Sequence, residues 1–196
     1  MSKVVNLELQ FASYWHCGTG VGDMLGSDGI VRLDETRLPF VPGSTLKGIL
    51  KECVRRFYSL HQEGSDPETL FGKQRVGGVP SKPGILRVTS AELSEVDKRA
   101  IQENDLQSML FRQIQSTAIH EGTKTAKTGS LRLKDAAIPM NLHASVSTFT
   151  GDEISKENLD TLCSALPFAY IGIGSGRRRG LGRVKIMGSV EGRNCV

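Results

Sequence analysis

The chain has 196 residues, of which 38% are hydrophobic and 23% charged, with a net charge of +4; these values are typical of a folded globular protein and argue against disorder or a fibrous repeat. It shows neither an apolar run long enough for a membrane span nor a secretory signal, so we expect a cytoplasmic protein with no membrane contact. Four widely separated cysteines predict reduced thiols and no cysteine-based metal site.

The amino-terminal third begins with extended patterns. Val5, Leu7 and Leu9 alternate with polar residues, which predicts a strand with one buried face. Residues 15–29 contain five glycines and predict an irregular loop of functional importance. A Pro-Gly pair at 42–43 then ends a short extended segment, and Ser44 stands where a helix N-cap is expected.

The helix predicted after Ser44 is amphipathic. Apolar residues recur at helical spacing from Leu46 to Phe57, and basic residues dominate the opposite side. Lys47 falls in the first turn, where the helix dipole favours an acid. This lysine is therefore either a ligand for an anion such as phosphate or an ordinary solvated side chain.

The rest of the chain predicts strands, helices and long connections. Residues 62–83 are rich in Gly, Pro and charge and surround a small apolar pair, Leu70-Phe71. Residues 115–134 predict a protruding β-hairpin that turns near 123–129. The other expected elements are strands near 85–89 and 140–148, a weak helix within 91–110, a helix over 159–166, and strands at 168–173 and 183–186.

This order of elements predicts an α+β fold. Strand, helix and strand are followed by strand, helix and strand, which is typical of a ferredoxin-like or RNA-recognition-motif-like antiparallel sheet with its helices on one face. We expect residues 1–196 to form a single domain of this kind, with insertions at about 60–84 and 115–134.

The strongest local feature is the glycine-rich segment GIGSGRRRGLG at residues 172–182. Its glycines permit close approach of backbone amides to an anion, and its three arginines suit bidentate phosphate contacts. The segment lacks the following helix of a dinucleotide fingerprint and the Gly-Lys-Ser/Thr of a Walker loop. It therefore predicts either a cradle for a nucleic-acid backbone or a solvated, glycine-rich hairpin.

Four segments together resemble one protein family. They are LPFVPGSTLKG at 38–48, LFG at 70–72, the Thr/Lys/Gly segment at 123–129 and the glycine-rich segment at 172–182. In this order they resemble the RAMP superfamily of CRISPR-associated proteins, and most of all the repeating backbone subunit of type III (Csm/Cmr-type) effector complexes. Two departures are that the chain is short for such a subunit and has three arginines where one or two are usual.

The resemblance implies a fold and a function. An RNA-recognition-motif-like core would carry a projecting thumb hairpin, and copies of the chain would stack along a guide (CRISPR) RNA beside other effector subunits. Such complexes serve antiviral defence and cleave bound target RNA at regular intervals with a divalent metal. Mg²⁺ or Mn²⁺ suits a site made of carboxylate, water and phosphate oxygens.

The resemblance also assigns residues. It makes Asp28 the catalytic and metal-binding residue, with Asp23 as the less favoured substitute, although Asp28 in Gly-Ser-Asp-Gly also suits an ordinary turn. The RNA-binding residues it implies lie on the predicted helix, the thumb and the glycine-rich segment: Ser44, Lys47, Lys51, Lys124, Thr125, Lys127, Gly174, Arg177, Arg178 and Arg179.

Two alternatives to the metal-dependent endoribonuclease stay open. In the first, the chain is a purely architectural RNA-binding subunit and Asp28 is a turn residue. In the second, it is a metal-independent guide-processing endoribonuclease in which His16 is the general base, although no matching Tyr/Lys set is present.

Overall fold

The structure, a computed structural model, describes residues 4–18, 29–73, 80–191 and 193–195. Within these residues no helix is both long and apolar enough to cross a bilayer. The α-helices are α1 Gly43–His61, α2 Pro67–Phe71, α3 Glu95–Glu103 and α4 Lys156–Ala165. The strands are β1 Val4–Phe11, β2 Gly72–Lys73, β3 Lys82–Pro83, β4 Leu86–Val88, β5 Phe111–Ser116, β6 Arg132–Ala137, β7 Asn141–Thr148, β8 Val184–Val190 and β9 Arg193–Asn194.

The main sheet confirms the predicted fold class. Its strand order is β4-β7-β1-β8-β9 and every pairing is antiparallel. Strands β1, β4, β7 and β8 therefore have the ferredoxin-like arrangement of an RNA-recognition motif. Burial alternates along β1, and Leu7 lies opposite Ala144 of β7 and Gly188 of β8. The alternating apolar pattern of the sequence therefore places one face of the sheet in the core.

Helices α1 and α4 cover the buried face of this sheet. Leu46 and Leu50 of α1 and Leu162 of α4 belong to the same buried cluster as Leu7. Helix α1 begins at Gly43 after Pro42, and no side chain caps it, so the predicted N-cap role of Ser44 is wrong. Position 43 requires glycine for a steric reason, since a Cβ there would lie 2.6 Å from the Val88 carbonyl oxygen.

The predicted hairpin is present and forms a sheet of its own. Strands β5 and β6 pair from Phe111 opposite Ala137 to Ser116 opposite Arg132. Beyond them every residue from 117 to 129 is exposed, as expected for a projection. The chain reverses at residues 121–124, slightly before the predicted turn, and Lys124 adopts a left-handed φ of 57°. We call β5, β6 and the residues between them the thumb.

Two regions between the sheet strands are more ordered than their composition indicates. Within 62–83, the Asp66 carboxylate caps helix α2 at the Thr69 amide, which seats Leu70 in the core. Within 91–110, the Ser94 hydroxyl caps helix α3 at the Asp97 amide. Capping residues thus identify both helices better than apolar periodicity does.

The prediction of a strand at 168–173 is wrong. Residues Leu166–Ile171 form a 3₁₀-helix that continues α4, with Pro167 in its first turn. Proline fixes φ and has no N–H to donate to a strand ladder, so it suits a helical start and not a central strand. The segment at 172–182 is accordingly a loop and not the turn of a hairpin.

The cysteines also depart in part from expectation. Cys163 of α4 and Cys195 beyond β9 are joined in a disulfide, with Cα atoms 5.2 Å apart. Cys17 and Cys53 are free and buried, and burial raises the pKa of each thiol to about 11. No short spacing marks this pair in the sequence, because the two cysteines lie 32 residues apart.

Candidate nucleic-acid interface

The segment after β1, residues 12–18, lies between the glycine-rich loop and the base of the thumb. On one side the amides of Gly182 and Ser175 donate to the carbonyls of Tyr14 (2.7 Å) and His16 (2.9 Å). On the other side Trp15 and Ala137 exchange two backbone hydrogen bonds of 3.0 and 2.8 Å. Backbone bonding therefore brings the two predicted nucleic-acid-binding regions together.

Glycine is required where the loop meets this segment. Gly174 has a φ of +90°, and a Cβ there would overlap the carbonyl oxygen of His16. Gly182 has a φ of +71°, and a Cβ there would overlap the carbonyl oxygen of Ile173. The glycines that the sequence marked as permissive thus allow a close backbone approach that fixes the loop's path.

The three arginines project from this fixed loop. Arg177–Arg179 form one turn of 3₁₀-helix between Gly176 and Gly180, both of which are left-handed. All three side chains are exposed, and none takes part in an ion pair among the described residues. They are therefore available to an external anion.

Lys134 of β6 joins the same surface, and the residue predictions did not include it. Its ammonium donates to the Ser175 hydroxyl, although the two residues are 41 positions apart. Burial and the charge of Arg179 both lower the pKa of Lys134 below its ordinary value. We call the surface formed by Lys134, Ser175 and Arg177–Arg179 the basic junction. A basic run around Lys134 was visible in the sequence, but its meeting with the loop depends on the fold.

His16 lies beneath the junction and is only 4% exposed. Its Nδ1 is 2.6 Å from the Asp135 carbonyl oxygen, which can only accept, so Nδ1 carries the proton of the neutral ring. Burial lowers the pKa of His16; the bond to Asp135 opposes this effect and the charge of Lys134 adds to it. Its burial favours a structural role for His16, whereas the bond at Nδ1 leaves Nε2 as the basic nitrogen of the ring.

The predicted contacts on α1 lie in different surroundings. Ser44 is exposed in a groove that it shares with residues of β4 and β7 and with none of the glycine-rich loop. The Lys47 ammonium lies 5.7 Å from the centre of the Phe149 ring, a cation–π distance. Lys51 donates to the Gly72 carbonyl at 2.5 Å and so ties α1 to the end of α2, a structural contact that the sequence did not predict.

The remaining predicted contacts lie at the tip of the thumb. Lys124, Thr125 and Lys127 are all exposed. The tip is held by backbone bonds from His120 to the Thr125 carbonyl and from Lys127 to the Ala118 carbonyl, both 2.8 Å. These side chains are thus presented away from the junction at the base of the same hairpin.

The open face of the sheet is polar. Asn6, Glu8 and Gln10 of β1 lie on this face, and Glu8 accepts hydrogen bonds from Gln10 and Asn141. Among the described residues of β1, β4, β7 and β8 that point away from the helices, none is Phe, Tyr or Trp. The described part of this face therefore offers no Phe, Tyr or Trp on which a base could stack, although it carries the exposed His143 and Arg87.

Asp28 and Asp23 lie outside the described residues. The described residues contain no group of three side chains that could hold a metal ion. Near Gly29, the nearest described neighbour of Asp28, they supply the neutral ring of His16 and the cationic Lys134. By themselves these groups do not fit a divalent cation.

Sequence comparison identifies the family. The family model of the RAMP superfamily matches residues 8–185. This chain belongs to the RAMP superfamily. The match runs from β1 to β8 and so includes the thumb and the glycine-rich loop of this RAMP protein. No curated protein sequence matches the chain.

Solved structures share the RAMP fold. A chain from the cryo-EM structure of Type III-B Cmr-beta bound to cognate target RNA aligns with a TM-score of 0.66 at 11% identity, covering 94% of this chain and 96% of the other. A chain from the apo state of Type III-B Cmr-beta aligns with a TM-score of 0.64 at 13% identity, covering 96% and 98%. The structural similarity therefore extends over nearly the full length of this chain and of each Cmr-beta chain.

Proposed function

We propose that this protein is a guide-RNA-binding backbone subunit of a type III CRISPR effector complex, acting in the cytoplasm in antiviral defence. The observation that carries the proposal is the membership in the RAMP superfamily together with three exposed arginines that have no acidic partner among the described residues. Copies of the chain and other effector subunits would assemble along the guide, as the similarity to Cmr-beta chains suggests.

The guide backbone would contact two parts of the molecule. The first is the glycine-rich loop, where Gly174 permits a close backbone path and Arg177–Arg179 provide bidentate phosphate donors. The second is the start of α1, whose first turn has no acidic residue and contains Ser44 and Lys47. The positive end of the helix dipole and the Lys47 ammonium favour the same anion.

The thumb would contact the guide and target strands together. Its exposed tip carries Lys124, Thr125 and Lys127, and its length places them beyond the body of the sheet. In the resembled family the thumb displaces one base of the guide:target duplex at each junction between subunits. A regular displacement would make the susceptible phosphates of the target regularly spaced.

Cleavage of target RNA would depend on Asp28. The 2′-hydroxyl of the target attacks the adjacent phosphorus, and the Asp28 carboxylate takes its proton. The new oxygen–phosphorus bond forms a cyclic phosphate as the bond to the 5′-oxygen breaks, and water supplies the proton to that oxygen. The fold contributes by holding the target in line for this attack.

A divalent metal, Mg²⁺ or Mn²⁺, is part of this proposal. The described residues do not fit the ion by themselves, so it would depend on Asp28 with phosphate and water oxygens. When bound it would neutralise charge on the phosphate.

The experiment that tests binding is purification of the chain with its natural companions, followed by extraction of nucleic acid. We expect RNA of uniform length. Absence of RNA association, both in the assembly and with added single-stranded RNA at physiological salt, would remove the proposed function.

The experiment that tests cleavage compares Asp28→Asn with the matched variant Asp152→Asn, which neutralises an exposed acid in the turn after β7. We expect Asp28→Asn to bind target RNA and lose at least about 10²-fold in cleavage rate, a typical effect of losing general acid–base catalysis. A chelator should stop the parent in the same way. Unchanged cleavage in Asp28→Asn would favour the architectural alternative, with cutting done by another subunit.

A further inference from the structure

Lys134 and its neighbours form a site that none of the predicted contacts includes. Lys134 stands at the base of the thumb, Ser175 and Arg179 stand in the glycine-rich loop, and the Lys134 ammonium bonds to the Ser175 hydroxyl. We propose that Lys134, Ser175 and Arg179 together bind one backbone phosphate of the RNA. This inference rests on the proposed function, because it names a site for the strand that the chain binds.

The charge balance of the site favours an anion. Lys134 and Arg179 are close enough for the charge of Arg179 to lower the pKa of Lys134. Neither forms an ion pair among the described residues, whereas Lys98 of α3 contacts Glu92 and Glu95 at 2.7 and 2.9 Å. Two like charges repel each other, and a phosphate bound between Lys134 and Arg179 would attract both of them and offset this repulsion.

The hydrogen-bond balance leads to the same conclusion. An ammonium has three donors, and Lys134 uses one of them on Ser175. The Ser175 oxygen accepts that bond, so its own O–H hydrogen stays available to donate, and none of the described groups accepts it. Together with the Arg179 guanidinium, the site offers several free donors, and no carboxylate among the described residues pairs with them. A phosphodiester, which presents two charged oxygens, matches this set.

The surrounding fold holds the three residues in place. Lys134 pairs with Ile114 within the thumb sheet, and its Cε would lie 3.5 Å from a Cβ at Gly29. The Ser175 amide donates to the His16 carbonyl at 2.9 Å, and the Arg179 amide donates to the Gly176 carbonyl at 2.8 Å. Each donor is thus carried on backbone that is itself hydrogen-bonded, which reduces the entropy lost when an anion binds.

The test measures binding of a fluorescein-labelled oligouridine to the full chain as a function of salt. Lys134→Met is compared with Lys156→Met, which makes the same change on α4 in a groove that also contains the acids Glu157 and Asp160. We expect Lys134→Met to weaken binding about tenfold and to lower the slope of log K against log salt by about 0.7, the value for one phosphate contact on a single strand. Lys156→Met should match the parent, and Lys134→Arg should restore most of the slope.

A second measurement uses the unsubstituted chain and so does not depend on the folding of a variant. Acetylation of each lysine is followed by mass spectrometry with and without the oligouridine. We expect RNA to slow the acetylation of Lys134 at least about fivefold and to leave Lys156 unchanged, because a bound phosphate occupies only the first ammonium.

The outcomes separate this inference from the proposed function. If the parent binds RNA with a steep salt dependence, but Lys134 is neither protected nor required, the phosphate site is wrong and the proposed function stands. If Lys134 is protected only when another protein subunit is added without RNA, its ligand is a partner carboxylate and the site is also wrong. If the parent does not bind RNA at all, both proposals fail.

Discussion

Basic side chains occur in two different electrostatic settings in this molecule. On α1, Arg55 and Arg56 each contact Glu52 at 2.8 Å, and on α3 Lys98 contacts two glutamates. At the basic junction, the arginines of the loop and Lys134 have no acidic partner among the described residues. The same charge is thus neutralised within the fold in one region and left for an outside ligand in the other.

The contrast favours binding at the basic junction over binding on the open face of the sheet. The open face, where an RNA-recognition motif would stack bases, carries a hydrogen-bonded Glu8 and no Phe, Tyr or Trp among its described residues. The basic residues that have no acidic partner among the described residues lie elsewhere, where the glycine-rich loop and the base of the thumb both bond to residues 12–18 after β1. We therefore expect recognition through the phosphate backbone, with strong salt dependence and little sequence preference.

The largest expected effect comes from neutralising the junction itself. The combined variant Arg177→Gln, Arg178→Gln and Arg179→Gln should raise the Kd for single-stranded RNA about 100-fold and lower the salt slope by about 2, because three phosphate contacts are lost. Fluorescence anisotropy against salt concentration measures both quantities. The control is Arg55→Gln with Arg56→Gln, which removes two paired arginines and should change the Kd less than about threefold. Equal losses in both variants would show that only total charge matters.

The next effect tests whether the loop's path is needed as well as its charge. Gly182→Ala should lower the free energy of unfolding by about 3 kcal/mol, because the new Cβ overlaps the Ile173 carbonyl and φ is +71°. Gly180→Ala is the control: its φ is +85° but no atom lies within 4 Å of a Cβ, so about 1 kcal/mol is expected. Urea unfolding measures both. Gly182→Ala should also weaken RNA binding, although every charge remains.

The sequence predicted the sheet well because its signals are local. Alternation over Val5, Leu7 and Leu9 places β1, and helical spacing from Leu46 places α1. The strand predicted at 168–173 was wrong because its apolar run follows Pro167, which favours the start of a 3₁₀-helix. Ser44 was predicted as the N-cap because serine is a common capping residue, whereas α1 begins at Gly43 after Pro42 with no side-chain cap.

The candidate site was predictable in its parts and not in its assembly. Composition alone marked the arginines of the glycine-rich loop, and a short motif marked Lys47. The contact between Lys134 and Ser175 joins residues 41 positions apart through the packing of residues 12–18 between them. A residue pattern within a single segment therefore cannot predict this contact. The same holds for Lys51, whose bond to Gly72 depends on where α2 packs.

A smaller effect is expected where a paired lysine is removed. Lys98→Met should lower the free energy of unfolding by about 1 kcal/mol, since Lys98 is 17% exposed and bonds to both Glu92 and Glu95. Its RNA affinity should equal that of the parent, which contrasts with the tenfold loss expected for Lys134→Met. Thermal unfolding and anisotropy measure the two properties. A loss of RNA affinity in Lys98→Met would remove the distinction between paired and unpaired basic residues.

The smallest effect concerns Glu52, which forms ion pairs with Arg55 and Arg56 of α1. Hydrogen bonds from Arg55 and Arg56 lower the pKa of Glu52 from 4.5 to about 2. A carboxyl whose pKa is lower in the folded state adds stability above its unfolded pKa and loses that contribution as the pH falls. Because the pair is partly exposed, Glu52→Gln should cost about 0.5 kcal/mol at neutral pH. The difference from the parent should shrink steadily from about pH 5 toward pH 2 in urea unfolding. RNA affinity should not rise in this variant, because Arg55 and Arg56 lie on α1 and not at the junction. A rise would mean that α1 also contacts the strand through these arginines.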